Sequence, residues 1–403
     1  MDLFNKKSYL GVDLGTSAIK MVEVQNRGGR AVLITYGYVE QSTDIVRASS
    51  VEMEDKIVAI IKTIYHKSHM VSKRVIAALP SFSVFSSIIS LPRMNKKDLA
   101  QAIQWEAKKF VPLPIDKMTL DWKIVPARFE LKNKLEQLEP PALKKEKIAQ
   151  EDSNQKNNSS AEGDDKKTIS FVKLFKKNKK KDAAELNKKK GDSLKVLLTA
   201  APKKIVERYI RIFKAADLNL LSLETEAFAL ERSLLAGDPA PVMIIDIGAV
   251  SSDVTIIDNS IPILTRSIDV GGSAITKSVM TSLNVDLSRA EQFKRDIGFS
   301  ALGPSDLPEI IKNTLNPIIN EVKYSLDIYL SQSKHNMSLE KIILTGGSAW
   351  LPELVSYLSK LLDVKVIIGD PWDKIVYPLE LKPVLSELGP RFAVAVGLAM
   401  REI

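Results

Sequence analysis

The chain has 403 residues, 45% of them hydrophobic, with a mean hydropathy near zero. That is enough to bury a substantial core, and by length it predicts about two to three domains. Cysteine is absent and only three histidines occur (His66, His69, His335), which excludes disulfides and thiolate metal sites and argues against a histidine-based one. The net charge is +9, so an anionic partner has to be considered, and the placement of the charge decides its meaning. The N-terminus Met-Asp-Leu-Phe-Asn-Lys-Lys does not read as a signal peptide, and no apolar run reaches the length of a bilayer span. A soluble, intracellular protein is expected.

Tyr9 to Val12 reads as an apolar strand, Asp13 to Ser17 as a tight polar turn and Ala18 to Val24 as a second strand. Gly15 is expected to adopt a conformation that other residues avoid. Thr16 and Ser17 add hydroxyls to a turn rich in backbone N–H groups, the chemistry of a phosphate cradle. Asp13 is placed to hold a metal ion through water. After the Asn26–Gly29 turn, Ala31 to Val39 completes an antiparallel meander. A helix follows over Val51 to Tyr65, and His66 and His69 beyond it read as surface residues. Arg74 to Leu79 is a strand, and Phe82 to Leu91 another. A helix from Met94 to Phe110 is stopped by Val111-Pro-Leu-Pro114.

Thr119 to Leu131 and Leu194 to Ala201 are strand-like and would form a hairpin. Between them, about 132–193 is rich in Lys, Glu, Asp, Asn and Gln and poor in aliphatic residues. Such a composition predicts a disordered insertion at the hairpin tip. Much of the basic excess lies here, notably Lys176, Lys177, Lys179 to Lys181 and Lys188 to Lys190, so the net charge does not argue for nucleic acid. The plainer reading of the segment is a solvated linker. The sharper one uses Phe171, Leu174 and Phe175 beside those lysines as a membrane-surface or partner-binding element. Helices over Lys203 to Ala216 and Glu224 to Leu235 flank a short strand, Leu220 to Leu223, and the class is α/β.

Val242 to Ile257 then repeats the opening pattern. An apolar strand runs into Asp246-x-Gly248, a polar turn with Ser251 and Ser252, and another strand, with a third at Ile261 to Ser267. Two such turns in matching settings predict a duplicated α/β fold whose turns face one ligand from opposite sides. Paired carboxylates between phosphates suit Mg²⁺, which takes oxygen ligands and keeps its waters. A Gly271-Gly272 turn opens a helix. Glu291 and Lys294 lie one turn apart on the next helix, where the plain reading is a salt bridge on a solvated face. A long helix over Leu307 to Ser331 contains Pro317. A strand from Lys341 enters Thr345-Gly346-Gly347-Ser348, a turn that allows a flat ligand or phosphate to approach backbone, with a helix from Leu351-Pro352. Arg391 to Met400 is a helix of small residues.

Three such turns in this order resemble the actin-like ATPase superfamily. Ala77-Ala-Leu-Pro80, Gln101 to Pro114 (QAIQWEAKKFVPLP), Asp121-Trp122, Glu226 to Leu230 and Asp246 to Ala249 are similar to the PilM family of type IV pilus assembly. The Trp-Glu-Ala to Val-Pro-x-Pro helix ending is the most specific of these. FtsA is similar in its extra subdomain but would carry a C-terminal amphipathic helix, whereas this sequence stops at Arg401-Glu-Ile.

The resemblance implies a duplicated actin-like ATPase fold, with two lobes around a nucleotide cleft and an SHS2-type small subdomain carrying the insertion. Lobe 1 would take 1–75, 201–236 and 388–403, the small subdomain 76–200, and lobe 2 237–387, with its outer part about 272–335. Asp13 and Asp246 would bind Mg²⁺ through water. Gly15, Thr16, Ser17 and Lys20, with Gly248, Ser251 and Ser252, would hold the phosphates of ATP. A solvent-facing Lys20 is the alternative. Gly272, Glu291 and Lys294 would meet the ribose or adenine, and Gly346, Gly347 and Ser348 the purine. Glu226 would orient the attacking water. The partner implied is the cytoplasmic N-terminal peptide of a PilN-type inner-membrane protein, with other pilus assembly proteins nearby and slow or no ATP turnover. Two other readings stay open: a sugar or small-molecule kinase, since Asp13-Leu-Gly-Thr-Ser17 occurs in such kinases, and a filament-forming protein like FtsA.

Overall fold

The computed structural model describes residues 7–41, 46–47, 50–111, 113–125, 193–300, 307–332 and 338–403. The predicted insertion, the end of the strand predicted to Leu131 and most of the polar loop before Asp306 lie outside them.

The opening meander forms as predicted. Strands β1 (Ser8–Leu14), β2 (Ala18–Arg27) and β3 (Arg30–Glu40) pair antiparallel. Helix α1 (Val51–Lys67) starts on Ser50, whose side chain accepts from the Met53 N–H, and buries Ile57, Ile61 and Ile64 at helical spacing. Beyond α1, β4 (Arg74–Leu79) returns parallel to β1. The chain comes back much later as α3 (Lys203–Ala215) and β8 (Asn219–Thr225), which pairs parallel with β4. A two-residue strand near the other end of the chain, β14 (Ile375–Val376), pairs with β3, giving the order β14-β3-β2-β1-β4-β8.

The second half repeats this plan. Strands β9 (Val242–Ile247), β10 (Ser252–Asp258) and β11 (Ile261–Ile268) form a meander. Then β12 (Lys341–Thr345) lies parallel to β9, and β13 (Val366–Ile368) parallel to β12. The order β11-β10-β9-β12-β13 matches β3-β2-β1-β4-β8 strand for strand, so the duplication predicted from two turns extends to whole sheets. Helices α5 (Gly272–Leu283), α6 (Leu287–Asp296) and α7 (Leu307–Gln332, with Pro317 inside) cover this half, followed by α8 (Leu354–Leu362).

Between β4 and α3 the chain builds a separate three-stranded sheet, β5 (Phe85–Leu91), β7 (Leu194–Pro202) and β6 (Met118–Val125), in the order β5-β7-β6. Helix α2 (Lys96–Phe110), capped by Asn95, covers one face of it. Leu99, Ile103 and Ala107 of α2 pack there against Ile89, Ile124, Val196 and Leu198. On the other face Ile88, Val125 and Leu197 meet Phe228 and Ile261. The predicted hairpin is the antiparallel pair β6–β7, which pairs Val125 with Lys195 at the last described residues before the insertion.

Two elements join the halves. The first is α4 (Glu226–Leu230) with its π-helical continuation Glu231–Leu235, and the second is α9 (Lys382–Ala399). A mixed core of Ile76, Ala229, Leu230, Ile244, Ile343, Ala393 and Leu398 lies between the sheets. Helix α9 approaches so closely that a Cβ on Gly11 would overlap the Ala395 carbonyl, and one on Gly397 the Ala229 carbonyl.

Several boundaries differ from expectation. The helix placed at Glu224 begins at Glu226, because Glu224 and Thr225 still pair in register with Ala78 and Leu79 of β4. Ser81–Ser83 is a 3₁₀ turn, so the strand read from Phe82 starts at Phe85. The helix read from Leu351 starts at Leu354, after Glu353 takes a left-handed conformation. The helix read from Arg391 already begins at Lys382 and carries Pro390 inside.

Candidate functional site

The two Asp-x-Gly turns come from the ends of β1 and β9 and are built alike. Asp13 sits opposite Lys20 in the β1–β2 register, and Asp246 opposite Asp253 in the β9–β10 register. A Cβ on Gly15 would stand 2.8 Å from the Ala18 carbonyl, and one on Gly248 2.7 Å from the Ser251 carbonyl. Glycine at position 15 therefore answers a steric demand. Its φ is not in the left-handed region, and the conformational reason expected from sequence is corrected. Thr16, Ser17 and Ser251 are partly exposed in their turns. Ser252 is fully buried, and its hydroxyl donates to the Val270 carbonyl at 2.7 Å.

In the first turn Lys20 Nζ donates to Asp13 Oδ2 at 2.6 Å, so this lysine points inward and not to solvent. The second turn has no such cation. Burial first, then the facing Asp253 and the more distant Asp13, push the Asp246 carboxyl up to about 7, while Lys20 pulls it back. Asp253 rises to about 6, chiefly from burial, with the nearby Ser267 and Ser81 side chains and the charge of Arg47 opposing the rise. Glu226 at the start of α4 rises well above the ordinary value. Burial is the main cause, then the charges of Asp253 and Asp13, with that of Asp246 behind them. It accepts from the Ser81 N–H at 3.0 Å and from the Ser81 hydroxyl at 2.5 Å. Four carboxylates from both sheets and a connecting helix thus feel one another across a single cleft.

The Thr345-Gly-Gly-Ser348 turn braces the second half of the cleft. Thr345 pairs with Asp246 across β12–β9, and its hydroxyl donates to the Pro390 carbonyl of α9 at 2.9 Å. Gly346 has φ +86°, and a Cβ there would overlap Asp246 Oδ1. Around Gly347 the space is open. Gly272 N–H donates to the Gly248 carbonyl at 2.9 Å, and a Cβ on Gly272 would stand 2.5 Å from Ser348 Oγ and 3.5 Å from Lys294 Nζ. Of the pair Glu291–Lys294, only the glutamate meets solvent. Lys294 is buried, and its ammonium donates to Glu291 Oε2 at 2.7 Å and Thr276 Oγ1 at 2.9 Å. Burial works against the Glu291 charge, but the hydrogen bonds from Lys294 and Thr276 outweigh it and hold its carboxyl below the ordinary range. Gly248, Gly272, Lys294 and Ser348 therefore converge beside the second turn.

A sequence model of the family described as type IV pilus assembly protein PilM matches residues 11–159 and 182–403. The chain belongs to the PilM family. Among solved structures it is similar to the PilM–PilN type IV pilus biogenesis complex, with a TM-score of 0.72 at 23% identity, covering 98% of this chain and 99% of that one. It also resembles the ethanolamine utilization protein EutJ of Carboxydothermus hydrogenoformans, with a TM-score of 0.50 at 12% identity, covering 99% of this chain and 91% of that one. At these identities the likeness is one of fold: the duplicated, two-lobed actin-like ATPase architecture with a small extra subdomain. The cell division protein FtsA of Bacillus subtilis is 25% identical over 195 residues, which is 43% of this chain and 44% of FtsA. The match thus spans less than half the length of that relative.

Sequence reading missed three contributors to the PilM-family cleft. Asp253 lies the same distance beyond Asp246 as Lys20 lies beyond Asp13, a spacing the repeat itself carried. Ser81 carries no local signal; only folding brings it to Glu226. Arg47 bridges the halves, pairing with Asp269 at 3.0 Å and stacking over Phe82 at 4.5 Å. Among the described residues no group of three or more His, Asp or Glu side chains is gathered as direct ligands of one ion. None of their helices is long and apolar enough to cross a membrane.

Proposed function

We propose that this chain is an ATP-binding scaffold of type IV pilus assembly that docks the cytoplasmic N-terminal segment of a PilN-type inner-membrane protein. It would stand at the inner face of the membrane through that partner. The observation that carries the nucleotide part is the convergence of Asp13, Glu226, Asp246 and Asp253 between two phosphate-cradle turns. The partner part rests on family membership and on the complex in which the structural relative was solved.

The donor set fits Mg²⁺ held through its waters. Asp13 and Asp246 are hard oxygen donors on opposite sides of the cleft, and the Asp253 Oδ1 atom is buried without a hydrogen-bond partner, so added positive charge would relieve the second turn. Gly15, Thr16, Ser17 and Lys20 would take the phosphates from one side, and Gly248 and Ser251 from the other. Lys294, Glu291 and Gly272 would meet the ribose, and Gly346, Gly347 and Ser348 the purine. The bound ion would supply charge neutralisation between the phosphates. Glu226, fixed by Ser81, would orient water, and the crowding of carboxylates around it fits slow or absent turnover.

Titration of the full chain with a PilN-type N-terminal peptide, with and without Mg-ATP, tests the reading. Binding of the peptide, strengthened or weakened by nucleotide, is expected. A folded preparation that takes Mg-ATP but never the peptide would sink the partner assignment. Asp13→Ala should lower Mg-ATP affinity about tenfold or more, as the loss of a charge-assisted contact implies, and an unchanged affinity would sink the cleft assignment.

A further inference from the structure

Helix α2 is the outermost layer of the small subdomain. Its inner stripe of Leu99, Ile103 and Ala107 is committed to the three-stranded sheet, and the far face of that sheet is committed to Phe228 and Ile261. The outer stripe faces away from both. It consists of Lys97, Gln101, Gln104, Trp105 and Lys108, all exposed, with the exposed Asp98 at its edge, seven residues before Trp105. The two acids of α2 lie off its centre and are engaged: Asp98 accepts from Asn95 at the cap, and Glu106 pairs with Lys109 at 3.0 Å. Trp105 is 70% exposed, a large cost for an indole to bear in water, and Lys108 Nζ stands 4.2 Å from its ring centroid. Leu113, just past the helix end, is 41% exposed.

We propose that this outer face of α2 lies on an anionic lipid surface. An exposed indole beside lysines is the combination that settles at the headgroup level, the ring among glycerol and upper acyl groups and the ammonium groups among phosphates. The shape favours lipid over an acidic peptide, because the indole stands on the convex outer face of a helix. Lys97 and Lys108 with one indole make a small contact, so the attachment is reversible and salt-sensitive. The contact needs no partner protein.

The test uses the full chain and vesicles of phosphatidylglycerol and phosphatidylcholine, against phosphatidylcholine alone, with brominated acyl chains as quencher. Expected are sedimentation with the anionic vesicles only, loss of binding at high salt, and quenching of tryptophan fluorescence. Trp105→Phe should abolish the quenching, whereas Trp350→Phe should leave it. Lys97→Glu with Lys108→Glu should lower partitioning about tenfold or more, with the melting temperature unchanged. Binding that persists without Trp105 quenching would place the lipid contact elsewhere in the chain and overturn the proposal. So would failure to bind anionic vesicles, with or without capture by soluble polyglutamate. A positive vesicle result with no peptide binding would leave this inference standing while the partner assignment fails.

Discussion

The two Asp-x-Gly turns share a backbone and differ in charge. Each places an aspartate at a strand end, a glycine against a carbonyl, and a cross-strand partner at the same register. In the first that partner is Lys20, and the pair is neutral. In the second it is Asp253, and two carboxylates face each other with Glu226 nearby. The first turn is satisfied without ligand, while the second stores repulsion that a cation between the turns would relieve. Duplication therefore conserved geometry and divided the electrostatic work.

The largest expected break is at Gly346, which braces only the second turn. Gly346→Ala must place a Cβ onto Asp246 Oδ1 from a left-handed backbone, so a loss of about 2–4 kcal/mol in thermal or denaturant unfolding is expected, together with loss of nucleotide binding. Gly347→Ala next door, in open space, should be near neutral; equal effects at the two positions would refute the bracing. The charge difference itself is tested by Lys20→Met and Asp253→Asn, which should move stability in opposite directions at pH 8. The first strands Asp13 and costs on the order of 1–3 kcal/mol, whereas the second removes repulsion and stabilises by about 1 kcal/mol.

The pH dependence follows from sign. Asp246 and Asp253 hold protons in the folded state up to about 7 and 6, well above the ordinary carboxylate value of 3.8. The folded chain binds more protons than the unfolded one across that window. Its stability from these groups is full below about pH 4 and is lost as pH rises through 6 to 7. Without nucleotide, the melting temperature should fall from pH 5 to pH 8, less steeply in Asp253→Asn. An identical slope in the variant would break the comparison. The smallest effect is expected from Ser81→Ala, which removes the hydroxyl bonded to Glu226 but keeps the backbone N–H, and costs about 1 kcal/mol in unfolding experiments.

What was legible in the sequence was what local chemistry encodes. Asp13, Gly15, Asp246 and Gly248 stand at strand ends in turns, and apolar runs mark the sheets on either side. The order of the second meander could be read from the first. Glu224 was misread as helical because glutamate favours helices. In the structure it is buried in β8, where Arg232 reaches it at 2.8 Å and the sequence-distant Arg401 at 3.4 Å. The plainer alternative for Lys294, a salt bridge on a solvated face, fails because a helix sequence does not say which side docks, and here α5 supplies Thr276 to hold it. Ser81 and Arg47 were invisible for a related reason: their partners, Glu226 and Asp269, belong to other parts of the chain.

The position of α9 in the chain has a consequence for biosynthesis. The second sheet is drawn from one continuous stretch, Val242 to Ile368, and can close as soon as that stretch has left the ribosome. The first sheet cannot. Its outer strand is Ile375–Val376, and the helix packed against β1 at Gly11 comes later still. Strands β1 to β3 thus wait for residues made more than 300 positions later. Until α9 arrives, the face of β1 and β2 that carries Val22 and Val24 lacks most of its cover beyond Trp372 and Ile375, and a nascent chain held there is a natural client for a chaperone.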